Sequence, residues 1–448
     1  MQWETRNSRD NMNRRSFLLR TGMMASTGVL AHAIQFPVVA DAAVAAEGAE
    51  AELTDWEAVR AQFNLAPAKI NMACLWHASH PKPVREAIEL HRRGLDECPY
   101  EYFHANAPRL EAEVRAAAAD YVQAKPDDFA MTGSTTQGLA IVYNGLKLKP
   151  GQEILSTEQD HIVTKKSLGY RAERAGTAVR TISLYDRSDT VTEEQVVNTI
   201  LGALTPRTRV VAVTWVHSST GVKIPVGHIA QALARVNVGR AEDDQALLCV
   251  DGLHGFGVED FRISDLGCDF FIAGCHKWLF GPRGTGLIWG NARAWNHVIP
   301  TIPTMDPLWR HQPYEQESAT AWMTPGGFHA FEHRWALTEA FRFHQRIGKA
   351  KVAARIHELN RQCKEGLAKM PHVKLQTPFS DNLSAGMVCF EVEGLTPQQT
   401  VERLKERGIV ASTTPPYKYE YARVTPSLWN TPEEVEATLR AIRSLTSG

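Results

Sequence analysis

Cysteine patterns typical of metal or redox sites are missing from this sequence of 448 residues. Its seven cysteines are odd in number, and no two of them form a C-x-x-C pair. Several lie within apolar runs, where thiols usually pack as small hydrophobic groups. We therefore expect mostly buried thiols, no metal site and no disulfide framework.

Strong net charge and long apolar segments are also missing. The formal net charge is −1, and the body of the chain has no basic tract, so nothing indicates nucleic acid or an anionic membrane as a partner. The apolar stretch over residues 21–39 contains Gly22, His32 and Pro37, which make it too polar for a secure transmembrane helix. No internal repeat is evident.

The composition favours a globular protein of more than one domain, with 44% hydrophobic residues. Alternating strand and helix patterns predict an α/β fold, with a mainly parallel sheet in a large domain over residues 108–325. Residues 43–107 are expected to form an N-terminal arm and a helix. Residues 330–448 are expected to form a long helix, over 330–369, and a small C-terminal α/β domain with a strand over 409–412.

Residues 247–286 carry the strongest functional signal. Asp251 ends a short apolar run that is typical of a buried parallel strand, and Lys277 follows a second run of the same kind. Ligands collect outside the carboxyl ends of such strands, so the two side chains could face one ligand. A carboxylate can keep a pyridine nitrogen protonated, and a desolvated lysine can form a Schiff base with an aldehyde.

Three short motifs in this segment resemble those of a known family. Residues 251–254 read Asp-Gly-Leu-His, residues 274–277 read Gly-Cys-His-Lys, and residues 281–286 read Gly-Pro-Arg-Gly-Thr-Gly. In this order they resemble the fold-type I pyridoxal-phosphate (PLP) enzymes, specifically the class V aminotransferase family, which includes cysteine desulfurases and isopenicillin N epimerase-like proteins. The resemblance implies PLP as the cofactor.

The same resemblance assigns roles to four residues. It places Asp251 on the pyridine nitrogen, His254 on the phenolic oxygen, Lys277 on the aldehyde carbon as a Schiff base, and His276 near the phosphate.

Residues 132–138 read Thr-Gly-Ser-Thr-Thr-Gln-Gly and open an apolar helical run. Small hydroxyl residues at a helix start leave backbone N–H groups free, and the helix dipole favours an anion there. Taken alone, the segment is typical of an ordinary capped helix. The family holds the cofactor phosphate at this place, which assigns Ser134, Thr135 and Thr136 to the phosphate.

Three further residues match family positions around the ring and the substrate. His161 follows a strand-like run and resembles the imidazole that stacks on the cofactor ring in cysteine desulfurases. Arg423 lies in a matching C-terminal motif, and its planar guanidinium is a natural bidentate partner for an α-carboxylate. Ser218 replaces the asparagine of the desulfurases, so we expect it only as a contact to substrate.

PLP would define the class of reaction, which begins at Cα of an amino substrate, but it does not determine the product. Lys277 is expected to act as the general base at Cα of a small amino acid or peptide. We favour aminotransfer or a related tailoring reaction, with epimerisation or C–S lysis as alternatives. Residues 411–420 contain no cysteine, which disfavours the usual persulfide chemistry. A non-catalytic binding protein on this fold would be expected to lack the acid or the lysine.

The amino terminus resembles a twin-arginine export signal. Arg14 and Arg15 precede the apolar stretch, and Ala-Asp-Ala at residues 40–42 offers a cleavage site, so residues 1–42 are interpreted as a signal peptide. We therefore expect the Tat machinery as a partner and the periplasm as the location. The chain also resembles the exported PLP enzymes that tailor pyoverdine siderophores, and by family analogy we expect a homodimer.

Overall fold

A computed structural model describes Leu53 and residues 55–305, 319–414 and 420–445. The proposed signal peptide and cleavage site lie outside these residues. The helices are α1 (Trp56–Arg60), α2 (Lys82–Glu97), α3 (Pro99–Val122), α4 (Thr135–Gly145), α5 (Ile162–Ala175), α6 (Glu193–Ala203), α7 (Val226–Asn237), α8 (Ile263–Leu266), α9 (Ala292–Trp295), α10 (Ala319–Met323), α11 (Phe331–Ile347), α12 (Lys349–Ala368), α13 (Pro397–Glu406) and α14 (Pro432–Arg443).

The strands form three sheets. They are β1 (Ile70–Asn71), β2 (Phe129–Thr132), β3 (Glu153–Thr157), β4 (Ala178–Ile182), β5 (Thr208–Thr214), β6 (Leu247–Asp251), β7 (Phe270–Gly274), β8 (Gly286–Gly290), β9 (Val373–Leu375), β10 (Val388–Val392), β11 (Ile409–Val410), β12 (Ser412–Thr413) and β13 (Ala422–Val424).

The central sheet has seven strands in the order β2-β8-β7-β6-β5-β3-β4. Strand β8 is antiparallel to both neighbours, whereas the pairs from β7 to β4 are parallel. The prediction of a mainly parallel sheet is therefore confirmed. A second, antiparallel sheet has the order β12-β13-β10-β9, and β1 pairs in parallel with β11.

Alternate residues of the central strands enter two different hydrophobic cores. In β6, Leu248 and Val250 belong to one buried cluster, whereas Leu247 and Cys249 belong to the other. Because side chains alternate across a strand, this division means that apolar residues cover both faces of the sheet. The continuous apolar run of β6 is explained by this double burial.

Side-chain caps define several helix starts. Ser134 accepts a hydrogen bond from the backbone N–H of Gln137 at the start of α4. Thr431 and Glu434 form a reciprocal capping box at the start of α14. Each cap satisfies backbone donors that the helix itself leaves without partners.

Three details differ from the expected boundaries. The boundary expected between residues 107 and 108 falls inside α3, which continues through Pro108 although proline supplies no N–H. The helix expected over 330–369 is interrupted at Gly348, whose φ of 94° separates α11 from α12. The strand expected over 409–412 is divided, because β11 pairs with β1 and β12 joins the second sheet.

Six of the seven cysteines are buried, and all seven are free thiols. The burial of six confirms the expectation of mostly buried thiols, which rests on the apolar runs around them. Among the helices described, none is both long enough and apolar enough to cross a membrane.

Candidate active site

The candidate residues of the large sheet gather where its parallel strands end. Asp251 is the last residue of β6, and Lys277 lies shortly after β7. His161 follows β3, and Ser218 follows β5. Because the carboxyl ends of parallel strands share one edge of a sheet, these residues line the same edge, hereafter the carboxyl edge.

Asp251 is a buried acid with few partners. Only 2% of the residue is exposed, and its Oδ1 accepts a hydrogen bond of 3.2 Å from the Leu253 backbone N–H. Burial raises the pKa of Asp251 to about 7, the Leu253 hydrogen bond lowers it, the charge of Asp160 raises it, and that of Lys277 lowers it. A cation bound beside this carboxylate would restore its ionised form.

Lys277 lies at the centre of the charged groups on the carboxyl edge. Burial lowers the pKa of its amine to about 8, against the attraction of Asp251, and the charge of Arg423 lowers it further. A neutral amine is the form that attacks an aldehyde or removes a proton. Lys277 therefore has the protonation behaviour of a nucleophile and base near neutral pH.

His254 is fixed in one tautomer by a neighbouring tryptophan. The indole Nε1–H of Trp278 donates to His254 Nδ1 over 3.3 Å. Burial keeps the pKa of His254 well below its ordinary value, and the nearby Lys277 and Arg423 charges act in the same direction. A neutral imidazole that accepts at Nδ1 carries its proton on Nε2, which leaves Nε2 as the donor.

His161 caps a helix at the same edge. Its Nδ1 accepts from the Val163 backbone N–H at 3.3 Å at the start of α5. Burial lowers the pKa of His161 to about 4, and the charges of Lys277 and Arg423 lower it as well. The ring is therefore uncharged at neutral pH, as a stacking imidazole should be.

The preceding residue, Asp160, connects the ends of two neighbouring strands through its carboxylate. Its Oδ2 accepts from the Ser156 hydroxyl at 2.9 Å and the Thr157 backbone N–H at 2.7 Å, and its Oδ1 accepts from the Thr214 backbone N–H at 2.8 Å. These bonds tie the end of β3 to the end of β5, so Asp160 positions His161 rather than facing the site.

The start of α4 supplies the expected anion cradle. Thr135 is buried, and its Oγ1 has no hydrogen-bond partner among the residues described. A Cβ added at Gly274 would lie 3.0 Å from this Oγ1 and 3.2 Å from the His276 ring, so both groups border one glycine. Ser134 caps the helix, and Thr136 is exposed. Thr135 and His276 are thus brought together, whereas Thr136 faces solvent.

Arg423 reaches the site from the second sheet. Its Nε donates to the Ser412 hydroxyl at 3.1 Å, its Nη2 to the Thr413 carbonyl at 2.9 Å, and its Nη1 to the Ser218 carbonyl. The residue is 1% exposed. The structure therefore places Ser218 against the guanidinium through its backbone.

Cys74 is a neighbour of Lys277 that the motifs did not reveal. Burial raises the pKa of this thiol to about 12, with opposing effects from Ser427 and Lys277. The segment containing Cys74 is fixed beside the site because the Ala78 backbone N–H donates to the His276 carbonyl at 3.3 Å. The only sequence signal is a short, polar-flanked run at residues 70–75, which is too brief to assign.

A buried network behind Ser218 was also missed. The Tyr185 hydroxyl lies 2.8 Å from His217 Nδ1 and 2.8 Å from Thr220 Oγ1. These contacts fix the turn on which Ser218 lies. No sequence pattern links Tyr185 to this turn, because the contact depends on β4 and β5 lying on either side of β3 in the sheet.

The residues present fit PLP. A buried hydroxyl without a partner at a helix start suits a phosphate, and a buried carboxylate that accepts one backbone hydrogen bond suits a protonated pyridine nitrogen. An imidazole with its proton on Nε2 can donate to a phenolic oxygen. Within the described ranges, no cluster of three or more His, Cys, Asp or Glu side chains is arranged to hold a metal ion.

Sequence comparisons agree with this geometry. The family model described as aminotransferase class-V matches residues 99–415. Isopenicillin N epimerase from Streptomyces clavuligerus is 25% identical, covering 88% of this chain and 99% of its own. A probable cysteine desulfurase from Mycolicibacterium paratuberculosis is 24% identical, covering 89% of this chain and 59% of its own.

Solved structures show the same fold. A mutant of C-DES with glycine covalently linked to its PLP cofactor has a TM-score of 0.77 at 23% identity, covering 86% of this chain and 99% of that one. The cysteine desulfurase of Thermococcus onnurineus NA1 has a TM-score of 0.72 at 22% identity, covering 86% of this chain and 97% of that one. The fold-type I architecture expected from the motifs is confirmed.

Proposed function

This chain belongs to the class V aminotransferase family and is a PLP-dependent enzyme, and from this premise we propose that it acts at the amino group and Cα of an amino acid or small peptide. The observation that carries the proposal is the convergence of Asp251, Lys277 and Arg423, which couple electrostatically at one edge of the sheet. An acid, a base and a carboxylate anchor are the groups that such a substrate requires.

PLP bound at the carboxyl edge supplies an aldehyde that condenses with amines and a ring that takes up an electron pair from Cα. Asp251 would hold the ring nitrogen, and His254 would donate its Nε2–H to the phenolic oxygen. Ser134 and Thr135, at the start of α4, would hold the phosphate.

Three further residues complete the cofactor site in this proposal. His161 would cover the ring, His276 would lie near the phosphate, and Thr136 would contribute its backbone N–H from the first turn of α4. The low pKa values of His161 and His276, both about 4, keep positive charge off these imidazoles.

Arg423 would bind the α-carboxylate of the substrate. Its hydrogen bonds to Ser412, Thr413 and Ser218 fix the plane of the guanidinium before the substrate arrives. Preorganised bidentate pairing of this kind favours substrates with a free carboxylate over simple amines.

Lys277 would move the proton. Its Nζ, with a pKa of about 8, takes the proton from Cα when the amine is neutral. A single base on one side is sufficient for aminotransfer, in which Lys277 would carry this proton to the former aldehyde carbon of the cofactor instead of returning it to Cα. Epimerisation requires a second group that delivers a proton to the opposite side of Cα.

Epimerisation is the second candidate. It is favoured by the isopenicillin N epimerase from Streptomyces clavuligerus, which aligns with this chain over 99% of its length. The thiol of Cys74, within electrostatic reach of Lys277 and kept protonated by burial, is the group we propose to test as the second proton donor. C–S lysis is the third outcome that the same residues permit.

We further propose that the enzyme meets its substrate in the periplasm as a homodimer, and that the substrate class includes precursors of pyoverdine-type siderophores. Support for export comes from the paired arginines and the cleavage site within residues 1–42. Replacing Arg14 and Arg15 with lysine should leave the full-length protein in the cytoplasm. Processing and export that continue in this variant would refute the twin-arginine route.

The reaction is tested by incubating the PLP-loaded enzyme with amino acids and short peptides in deuterated water. Release of a keto acid supports aminotransfer, deuterium at Cα with mixed chirality supports epimerisation, and sulfide or persulfide release from cystine supports lysis. The Lys277→Ala variant is the control for all three. The proposal would be overturned if no substrate in the panel gave a keto acid, deuterium at Cα, or sulfide or persulfide.

A further inference from the structure

A second cleft lies at the opposite edge of the central sheet, where the parallel strands begin. It has a volume of about 810 Å³, and its lining includes Gln152, just before β3, and Arg209, at the start of β5. Substrate and cofactor belong at the carboxyl edge, so this cleft is separate from the site described above.

Arg209 is the unusual feature of this cleft. The residue is 1% exposed, and its Nη1 has no hydrogen-bond partner in the described part of the chain. A guanidinium does not lose its proton in proteins, so the group stays charged. The charges of Asp243, Asp269 and Asp244 act on this guanidinium, but its buried Nη1 has no acceptor among the described residues. A buried donor without an acceptor is destabilising, and a bound ligand would supply one.

His297 presents a second polar atom of the same kind. It is 7% exposed, and its Nε2 is buried without a partner among the described residues. Its backbone is fixed, since the carbonyl of His297 accepts from the Lys147 backbone N–H at 2.8 Å. Burial lowers the pKa of His297, and the charges of Arg209 and Arg293 lower it as well, so Arg209 lies within electrostatic reach.

The remaining charges of the cleft are predominantly positive. Its lining has four cationic side chains, Lys147, Lys149, Arg171 and Arg209, against the carboxylates of Glu242 and Asp243.

Two of these four cations, Lys147 and Arg171, bond to neutral groups. Lys149 pairs with Asp243 at 3.4 Å, but Lys147 donates to the Asn296 carbonyl at 2.9 Å. Arg171 donates to the carbonyls of Asn144 and Leu146, at 2.7 and 2.8 Å. These bonds hold the walls in place and leave the charges of Lys147 and Arg171 uncompensated by a carboxylate. They also occupy carbonyl oxygens at the end of α4 that would otherwise repel an anion.

We propose that this cleft binds a small oxyanion, with a phosphate or carboxylate group held between Arg209 and His297. The anion would accept from Arg209 Nη1 and from His297 in the tautomer that carries its proton on Nε2, and it would balance the excess positive charge. Its binding stabilises the folded protein, because the unfolded chain does not bring these residues together. The inference is independent of the reaction catalysed at the carboxyl edge.

The test uses PLP-loaded enzyme, so that the cofactor phosphate already fills its own cradle. Inorganic phosphate and citrate are titrated by calorimetry at constant ionic strength set with chloride. We expect one additional site for at least one of the two oxyanions, and the comparison distinguishes a phosphate ligand from a carboxylate ligand. Arg209→Gln should weaken that binding at least tenfold, whereas Arg342→Gln, at an exposed arginine on α11, should not change it.

Thermal unfolding provides the second measurement. The preferred oxyanion should raise the Tm of the wild type and of Arg342→Gln, but not that of Arg209→Gln. If Arg209→Gln does not fold, His297→Gln replaces it in both measurements. Binding no stronger than that of chloride, or undiminished binding in both cleft variants, would overturn the proposal.

Discussion

Arg423 and Ser218 are joined by a hydrogen bond from the guanidinium Nη1 to the backbone carbonyl. Arg423 lies on β13 of the second sheet, whereas Ser218 follows β5 of the central sheet. The bond therefore connects the proposed carboxylate anchor to the same edge that carries Asp251. It also explains why a serine can replace the family's asparagine here, because the contact uses the backbone.

The first prediction concerns Arg423 itself. Arg423→Lys should raise KM for α-amino acids by about 10²-fold, since one ammonium cannot reproduce the planar, bidentate contact that contributes about 2–3 kcal/mol. Steady-state kinetics on amino acids and on the matching decarboxylated amines provide the measurement. Rates for the amines should change by less than about threefold. Equal losses for both substrate types would exclude a carboxylate-binding role.

The second prediction tests the network behind Ser218. Tyr185→Phe removes the hydroxyl that contacts His217 and Thr220, which should loosen the turn and raise KM by about three- to tenfold with little change in kcat. The unfolding midpoint should fall by a few degrees. Tyr170→Phe, on the exposed face of α5, is the control and should change neither quantity. A loss confined to kcat would mean that Tyr185 takes part in the chemistry instead.

The third prediction is a pH dependence set by Lys277. Its pKa is lowered to about 8, so the amine is protonated below that pH and cannot accept the Cα proton. The value of kcat should therefore fall about tenfold per pH unit below 8 and level off above it. Lys364 is a matched control, because burial lowers its pKa to about 8 as well, and Lys364→Arg should leave this limb in place. A flat profile between pH 6 and 8 would contradict the assignment.

The fourth prediction separates stability from activity at Asp251. Burial raises its folded pKa to about 7, above the unfolded value of about 3.9, so the folded state holds the proton more tightly. Apoprotein stability should therefore fall as pH rises from about 4 to 7, with the full cost present above 7. Asp251→Asn should remove this cost, which we place at about 2–4 kcal/mol, while lowering kcat at least 10²-fold.

Denaturant unfolding of the apoproteins at pH 5 and pH 8 measures the stability difference, and turnover of the PLP-loaded forms measures the activity. Asp251→Asn should have a higher free energy of unfolding than the wild type at pH 8. The difference between the two proteins should be much smaller at pH 5. Equal differences at the two pH values would show that Asp251 does not titrate in this range.

Local sequence was sufficient for the part of the site that lies on the central sheet. The apolar run before Asp251 and the glycine-rich turn after Lys277 are properties of neighbouring residues, and each is explained by a strand buried on both faces. His161 and Thr135 follow their strands at short, regular intervals. Once a parallel sheet was expected, the position of these residues at its carboxyl edge could be inferred from the sequence.

Residues that depend on long-range packing could not be predicted. The segment that carries Cys74 is held by long-range contacts, the pairing of β1 with β11 and the hydrogen bond from Ala78 to His276, and two-residue strands leave no readable pattern. Arg209 lies near the start of β5, where an arginine is usually solvated, and nothing in the neighbouring sequence indicates that it is 1% exposed. Gly348 interrupts a helical pattern that continues on both sides, so only its positive φ reveals the break.

The hydrogen bond from Thr425 Oγ1 to the carbonyl of Met72, 3.0 Å long, joins residues 353 positions apart in sequence. Next to it, β1 pairs with β11. A ribosome must synthesise the residues of β11 before β1 can pair with them and Thr425 before Met72 can accept its hydrogen bond, and closing so long a loop costs entropy that contacts of the folded protein must offset. Until Arg423 has been synthesised, the carboxyl edge lacks the guanidinium that acts on Lys277, so the proposed substrate anchor is the last part of the site that translation supplies.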